Sequence, residues 1–171
     1  MRILGLSLGG DPVSRLPSRY GGAGRSIRLM MDGIDNFYLA AEESCFAGDI
    51  AGKCIIITSQ EKEYIENGGR VSDVIKDNFD LILTNGNTNL FLNTDAKQIC
   101  WCGGFSEKVH PSHKYMVCYH ANTQLPIIQN SVNQLKIYEF RLGIPIPVFQ
   151  EYKKEPFILQ ITNHYSVIQS H

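Results

Sequence analysis

Three segments of this 171-residue chain carry residues able to bind or transform a ligand. The first is Tyr20-Gly21-Gly22-Ala23-Gly24-Arg25, which runs into a helical pattern. Gly21, Gly22 and Gly24 keep side chains away from the helix start. The free N–H groups and the positive dipole end there suit an anion. Arg25 and Arg28 add positive charge. A phosphate or a nucleotide sugar fits such a site, although the same glycines also serve a plain strand-to-helix turn. The second segment is Asn85-Gly86-Asn87-Thr88-Asn89. The amides of Asn85 and Asn87 offer both donors and acceptors to sugar hydroxyls, and Asn and Gly are equally at home in an ordinary turn. The third is His120-Ala121-Asn122-Thr123. His120 is suited to orient a hydroxyl or act as a base near neutral pH. Asn122 or Thr123 serves equally well as a helix N-cap.

Several chemistries are excluded by spacing. The glycine segment lacks the dinucleotide fingerprint, and no acidic residue ends a clear second strand. No Gly-Lys-Ser/Thr marks a phosphate-gripping loop, so no cofactor is expected. Cys100-Trp101-Cys102 followed by His110, His113, Cys118 and His120 has too short a Cys–Cys spacing for a zinc finger or ribbon. The five cysteines, several inside apolar runs, read as free core thiols. No Ser-His-Asp or Cys-His arrangement is defined by the spacing.

The elements that must position these segments follow a repeating plan. Ile3 to Leu8 is an apolar run closed by Gly9-Gly10-Asp11-Pro12, a strand followed by a loop. A helix follows the glycine segment, with Ile27, Met30, Met31 and Ile34 on one face. Residues 36–50 are ambiguous between strand and helix. Lys53 to Thr58 is β-branched and reads as a buried strand. Ser59 is placed to cap the next helix; with Lys62 at its third position the full capping box is lacking. Asn67-Gly68-Gly69 ends that helix, and a short helical stretch over Val71, Val74 and Ile75 follows. Phe79–Thr84, Gln98–Cys102, Tyr115–Tyr119 and Lys136–Phe140 are further strands. Between the last two, Leu125, Ile128, Val132 and Leu135 share a helix face. Strands alternating with helices predict an α/β fold, a Rossmann-like parallel sheet with helices on both faces. Ligands then sit outside the carboxyl ends of the strands, where all three polar segments fall.

Composition bounds the rest. The chain is 43% hydrophobic and 19% charged with net charge −1, which argues against a dedicated nucleic-acid binder. No apolar run approaches the roughly 20 residues of a membrane span, and Met1–Leu8 is too short for a signal peptide. A cytoplasmic protein is expected. Gly143-Ile144-Pro145-Ile146-Pro147 and Glu151–Glu155 read as an extended linker. Pro156–Thr162 then opens what reads as the first strand of a second unit. The expected organisation is a domain over 1–155 and the start of a truncated second domain over 156–171.

Met1-Arg2-Ile3-Leu4 with Tyr20–Arg25, Phe79–Thr84, Gly143–Phe149 and Lys154–Ile161 together resemble the N-terminal domain of a GT-B glycosyltransferase of the group 1, or family 4, type. The resemblance spans nearly the whole chain by order of segments. It implies the N-terminal half of a GT-B fold, with the active site in the cleft against a second domain. It further implies a nucleotide-sugar donor whose phosphate or sugar meets Gly21, Gly22, Gly24 and Arg25. The sugar or lipid acceptor would meet Asn85, Asn87, His120 and Asn122, with peripheral membrane association where that acceptor is a lipid. Donor nucleotide and a pair of glutamates belong to the missing C-terminal domain, so this chain alone is expected to be inactive. The chain departs from the family in several places. The strand at 79–84 meets Asn85 where the family often has histidine, the strand at 99–102 ends in Gly103-Gly104, and Leu142-Gly143 replaces the linker's usual Asn-Gly. Two other readings remain open: a stand-alone flavodoxin-like module that holds a small anion, and a GT-B-like sugar-nucleotide epimerase. A receiver-like domain would need clustered acids after the first strand, where only Asp11 stands.

Overall fold

The computed structural model of the chain describes residues 1–10, 12–14, 22–85, 90–102, 109–118 and 135–139. Seven strands form one sheet: β1 (Ile3–Leu6), β2 (Phe37–Glu42), β3 (Cys54–Ile57), β4 (Leu81–Asn85), β5 (Lys97–Cys102), β6 (Tyr115–Cys118) and β7 (Lys136–Glu139). The order across the sheet is β3-β2-β1-β4-β5-β6-β7, and every pairing is parallel. Four helices are described: α1 (Gly22–Gly33), α2 (Glu43–Phe46), α3 (Ser59–Glu66) and α4 (Val71–Val74). The chain is therefore an α/β protein with a Rossmann-like sheet. The expected linker and the segment 156–171 lie outside the described residues.

Alternation along each strand builds two cores. Odd positions of β2 (Phe37, Leu39, Ala41) join Leu83 and Trp101 on the front, where Ile27, Met30 and Met31 of α1 cover them. Even positions (Leu4, Leu6, Ala40, Ile82) face back, under Ile65 of α3 and Val71 of α4. A strand buried on both sides must be apolar at nearly every position. That explains why Phe37–Ala41 carries no polar residue. A smaller cluster of Cys100, Val109, Met116 and Cys118 continues the back face behind β5 and β6. Fully burying Trp101 alone contributes more than a typical core leucine, whose burial stabilises by about 1.5–3 kcal/mol.

Close layer packing requires one glycine inside β1. A Cβ on Gly5 would stand 2.8 Å from both Ile27 Cγ2 and Phe37 Cε1. The bare position lets α1 settle onto the first strand, the usual meaning of glycine within a strand.

Four details differ from the sequence reading. Ile34 follows the last residue of α1 and is 42% exposed, so the buried helix stripe ends at Met31. Residues 36–50 are β2, the single turn α2 and a loop. The 53–58 run is an edge strand, and Ile56 is 46% exposed because α2 is too short to cover it. The N-cap of α3 is Thr58, one residue earlier than expected. Its hydroxyl accepts the Glu61 N–H while the Glu61 carboxylate accepts the Thr58 N–H, completing a capping box.

At the amino edge, His113 is buried beside Phe91. Its Nε2–H donates to the Leu90 carbonyl at 2.9 Å, since a carbonyl can only accept; this leaves Nδ1 buried with no partner among the described residues. Burial holds its pKa below the ordinary 6.5, helped by the nearby charge of His110 and partly opposed by the Leu90 bond. The folded chain thus takes up this proton less readily than the unfolded chain. Stability should be level above pH 6.5 and decline as the pH falls below it, until the pH passes the lowered folded value. Urea melts of the parent chain and His113→Gln at pH 7.5, 6.5 and 5.5 check this. The variant should lose that part of the acid-side decline, and equal slopes would assign it to other groups.

Candidate functional site at the carboxyl edge

The sheet has one point where the winding reverses. From β1 the chain steps outward through β2 to β3, then returns over the back face to β4 on the other side of β1. The carboxyl ends of β1 and β4 flank this reversal, the usual ligand position in such sheets. Leu6 and Ser7 end one side, and Asn85 ends the other. Asn85 was read as the first loop residue; it is the last residue of β4, in register with Trp101 of β5.

α1 starts on the front of this edge. Its first turn carries no acidic residue, so nothing on the helix neutralises its positive end. α3 differs, because Glu61 sits in its first turn and its capping box already satisfies two N–H groups. Of the two, the start of α1 is the one suited to an external anion. Ser7 lies at the end of β1 with 1% exposure. Its N–H donates to the Ala40 carbonyl at 3.0 Å, and its hydroxyl has no partner among the described residues.

Gly24 has a structural duty. A Cβ there would lie 2.2 Å from the Pro12 carbonyl oxygen, so the first turn of α1 touches the backbone of the loop that follows β1. That loop is pinned in turn by the Val13 N–H, which donates to the Cys45 carbonyl at 2.9 Å. Gly22 opens the helix. Gly21, Asn87, His120 and Asn122 lie outside the described residues, as do the side chains of Arg25 and Asn85.

Arg28 does not add charge to the anion site. It is fully buried, and its guanidinium donates to the Asp49 carbonyl at 2.6 Å and to the Asp49 carboxylate at 3.1 Å. Asp32 lies 3.5 Å from Nε, and Cys54 Sγ is 3.6 Å from Nη1. The arginine ties α1 to the loop before β3.

Sequence reading also missed Glu42, an acid that does end the second strand. In dinucleotide-binding sheets this position takes ribose hydroxyls. Here Ser59 Oγ donates to one carboxylate oxygen at 2.6 Å and Lys62 Nζ stands 3.4 Å from the other. The Ser59 bond first, and the Lys62 charge after it, hold the carboxyl below its ordinary range against the effect of burial. Glu42 thereby fastens α3 to β2. Its signal was hidden because Phe37–Ala41 could not be told from a helix by periodicity. Ser7 had a weak signal, a small polar residue directly after an apolar run.

Compared with models of protein families, with curated proteins and with solved structures, the chain matches none. Among the described residues, no helix is long and apolar enough to cross a membrane.

Proposed function

We propose that this chain is the acceptor-side half of a two-domain glycosyltransferase, moving a sugar from a nucleotide-sugar donor to a glycan, lipid or small-molecule acceptor. The observation that carries the reading is the acid-free start of α1 at the carboxyl edge, where the strand order reverses between β1 and β4. The N–H groups of a helix start lack intrahelical partners and suit a donor phosphate, which is negative throughout the physiological pH range. Amides on the β4 side suit acceptor hydroxyls. The strand order also agrees with the Rossmann-like half that the sequence resemblance implies. The nucleotide pocket and the pair of glutamates belong to the second domain in this reading, so chemistry requires both halves.

The test uses the full-length protein with a panel of UDP- and GDP-sugars. Gly22→Val, which adds bulk at the first residue of α1, should lower transfer several-fold while the circular dichroism spectrum is unchanged. Unchanged turnover would leave the glycine segment a purely structural role, and no transfer with any donor would overturn the reading. This chain alone should bind the same sugars weakly by calorimetry. Tight, saturable binding would contradict donor recognition by the second domain.

A further inference from the structure

A second concave site lies at the opposite edge of the sheet. A cavity of about 340 Å³ opens where β5 and β6 begin, lined among others by Phe91, Lys97, Ser112, Lys114 and Tyr115. That volume falls within the ~300–1,000 Å³ of small-molecule sites. The strand starts supply the lining: Lys97 is the first residue of β5, Tyr115 is the first of β6, and Lys114 precedes it.

The walls are held from behind. The Gln98 carboxamide is used on both sides of Leu92, accepting its N–H at 2.9 Å and donating to its carbonyl at 2.8 Å. This fixes the segment that bears Phe91. The Phe91 ring stacks on His110 at 5.7 Å and meets the edge of His113 at 5.2 Å, yet stays 44% exposed. An aromatic ring braced on one side and open on the other is a ready stacking surface.

The charge balance is one-sided. Among the described residues no carboxylate lines the cavity and neither Lys97 nor Lys114 has an ion-pair partner. Two acids adjoining the start of β5 have other partners, Asp95 with Arg70 and Asp80 with the Arg2 N–H. Lys136 begins the next strand, where its N–H donates to the Lys114 carbonyl. Two unneutralised ammonium groups around a concavity focus positive potential into it. Ser112 and Tyr115 add hydroxyl donors.

We propose that this cavity binds a phosphate monoester carrying a planar ring, with the phosphate between Lys97 and Lys114 and the ring on Phe91. The site faces away from the carboxyl edge, so it is separate from the proposed transfer chemistry and suits a ligand that is held rather than transformed.

The experiment is a ¹⁵N–¹H titration of the chain with adenosine monophosphate, inorganic phosphate and adenosine in parallel. Adenosine monophosphate should produce saturable shifts at Phe91, Lys97 and Ser112–Tyr115. A Lys97→Ala/Lys114→Ala variant, both sites being exposed, should keep its fold and bind at least tenfold more weakly. Phe91→Ala should weaken the nucleotide and leave inorganic phosphate unaffected. Absence of saturable shifts at this edge, unchanged affinity in the double variant, or a response to adenosine equal to that of its monophosphate would overturn the proposal.

Discussion

Asp49→Ala should destabilise the chain by about 3–5 kcal/mol, the range for removing one partner of a buried ion pair. The cause is Arg28, which has no exposure at all. Asp49 supplies the carboxylate 3.1 Å from Nη2 and is itself only 11% exposed. Without it the guanidinium keeps the backbone carbonyl of residue 49 and the more exposed Asp32, which places the loss toward the lower figure. Removing both charges should cost less, because an apolar pair leaves no buried guanidinium without its carboxylate, although the carbonyl of residue 49 loses its donor: Arg28→Met/Asp49→Leu is the comparison. Urea denaturation at low and high salt measures both. The single variant's loss should change little with salt, since buried pairs are poorly screened. A loss below about 1 kcal/mol would mean that water reaches the pair, as in surface salt bridges.

Gly24→Ala should lower stability by roughly 1–3 kcal/mol, the range for overpacking a filled site. The sign makes this informative. Alanine in place of glycine within a helix ordinarily gains about 1 kcal/mol. Here the new methyl would lie 2.2 Å from the Pro12 carbonyl oxygen, a backbone atom that cannot rotate away. The loop cannot retreat without breaking the Val13 to Cys45 bond. Gly33→Ala, at the other end of α1 with nothing within 4 Å of the added carbon, is the control and should be neutral or stabilising. Equal effects at both positions would refute the contact between helix start and loop.

The fold was legible wherever composition and boundaries agreed. Ile3–Leu6, Cys54–Ile57 and Leu81–Asn85 are short β-rich runs closed by polar turns, and each became a strand within a residue or two of its expected limits. β2 was obscured because Tyr38-Leu39-Ala40-Ala41 has no helix–strand preference of its own; pairing between β1 and β3 decides its state. Arg28 was misplaced because a sequence gives a charge but not its direction. It follows Ile27 by one position, and α1 turns it inward to Asp49. Glu42 was lost with β2. For Gly24, both uses of glycine were visible in the sequence, but the contact with Pro12 is made by two backbones and leaves no mark on either side chain.

The thiols give the molecule its own clocks. Cys45 lies in the front core, Cys100 and Cys118 in the cluster behind the sheet, and all three are buried. Burial also raises the pKa of Cys45, so it is doubly slow to meet a reagent. A buried thiol is alkylated only in the moments when its surroundings come apart, so each labelling rate reports how often one layer opens. Identical rates mean that both layers leave the sheet together; a faster Cys45 means that α1 and α2 lift first, uncovering the front of the sheet while the back wall stays closed.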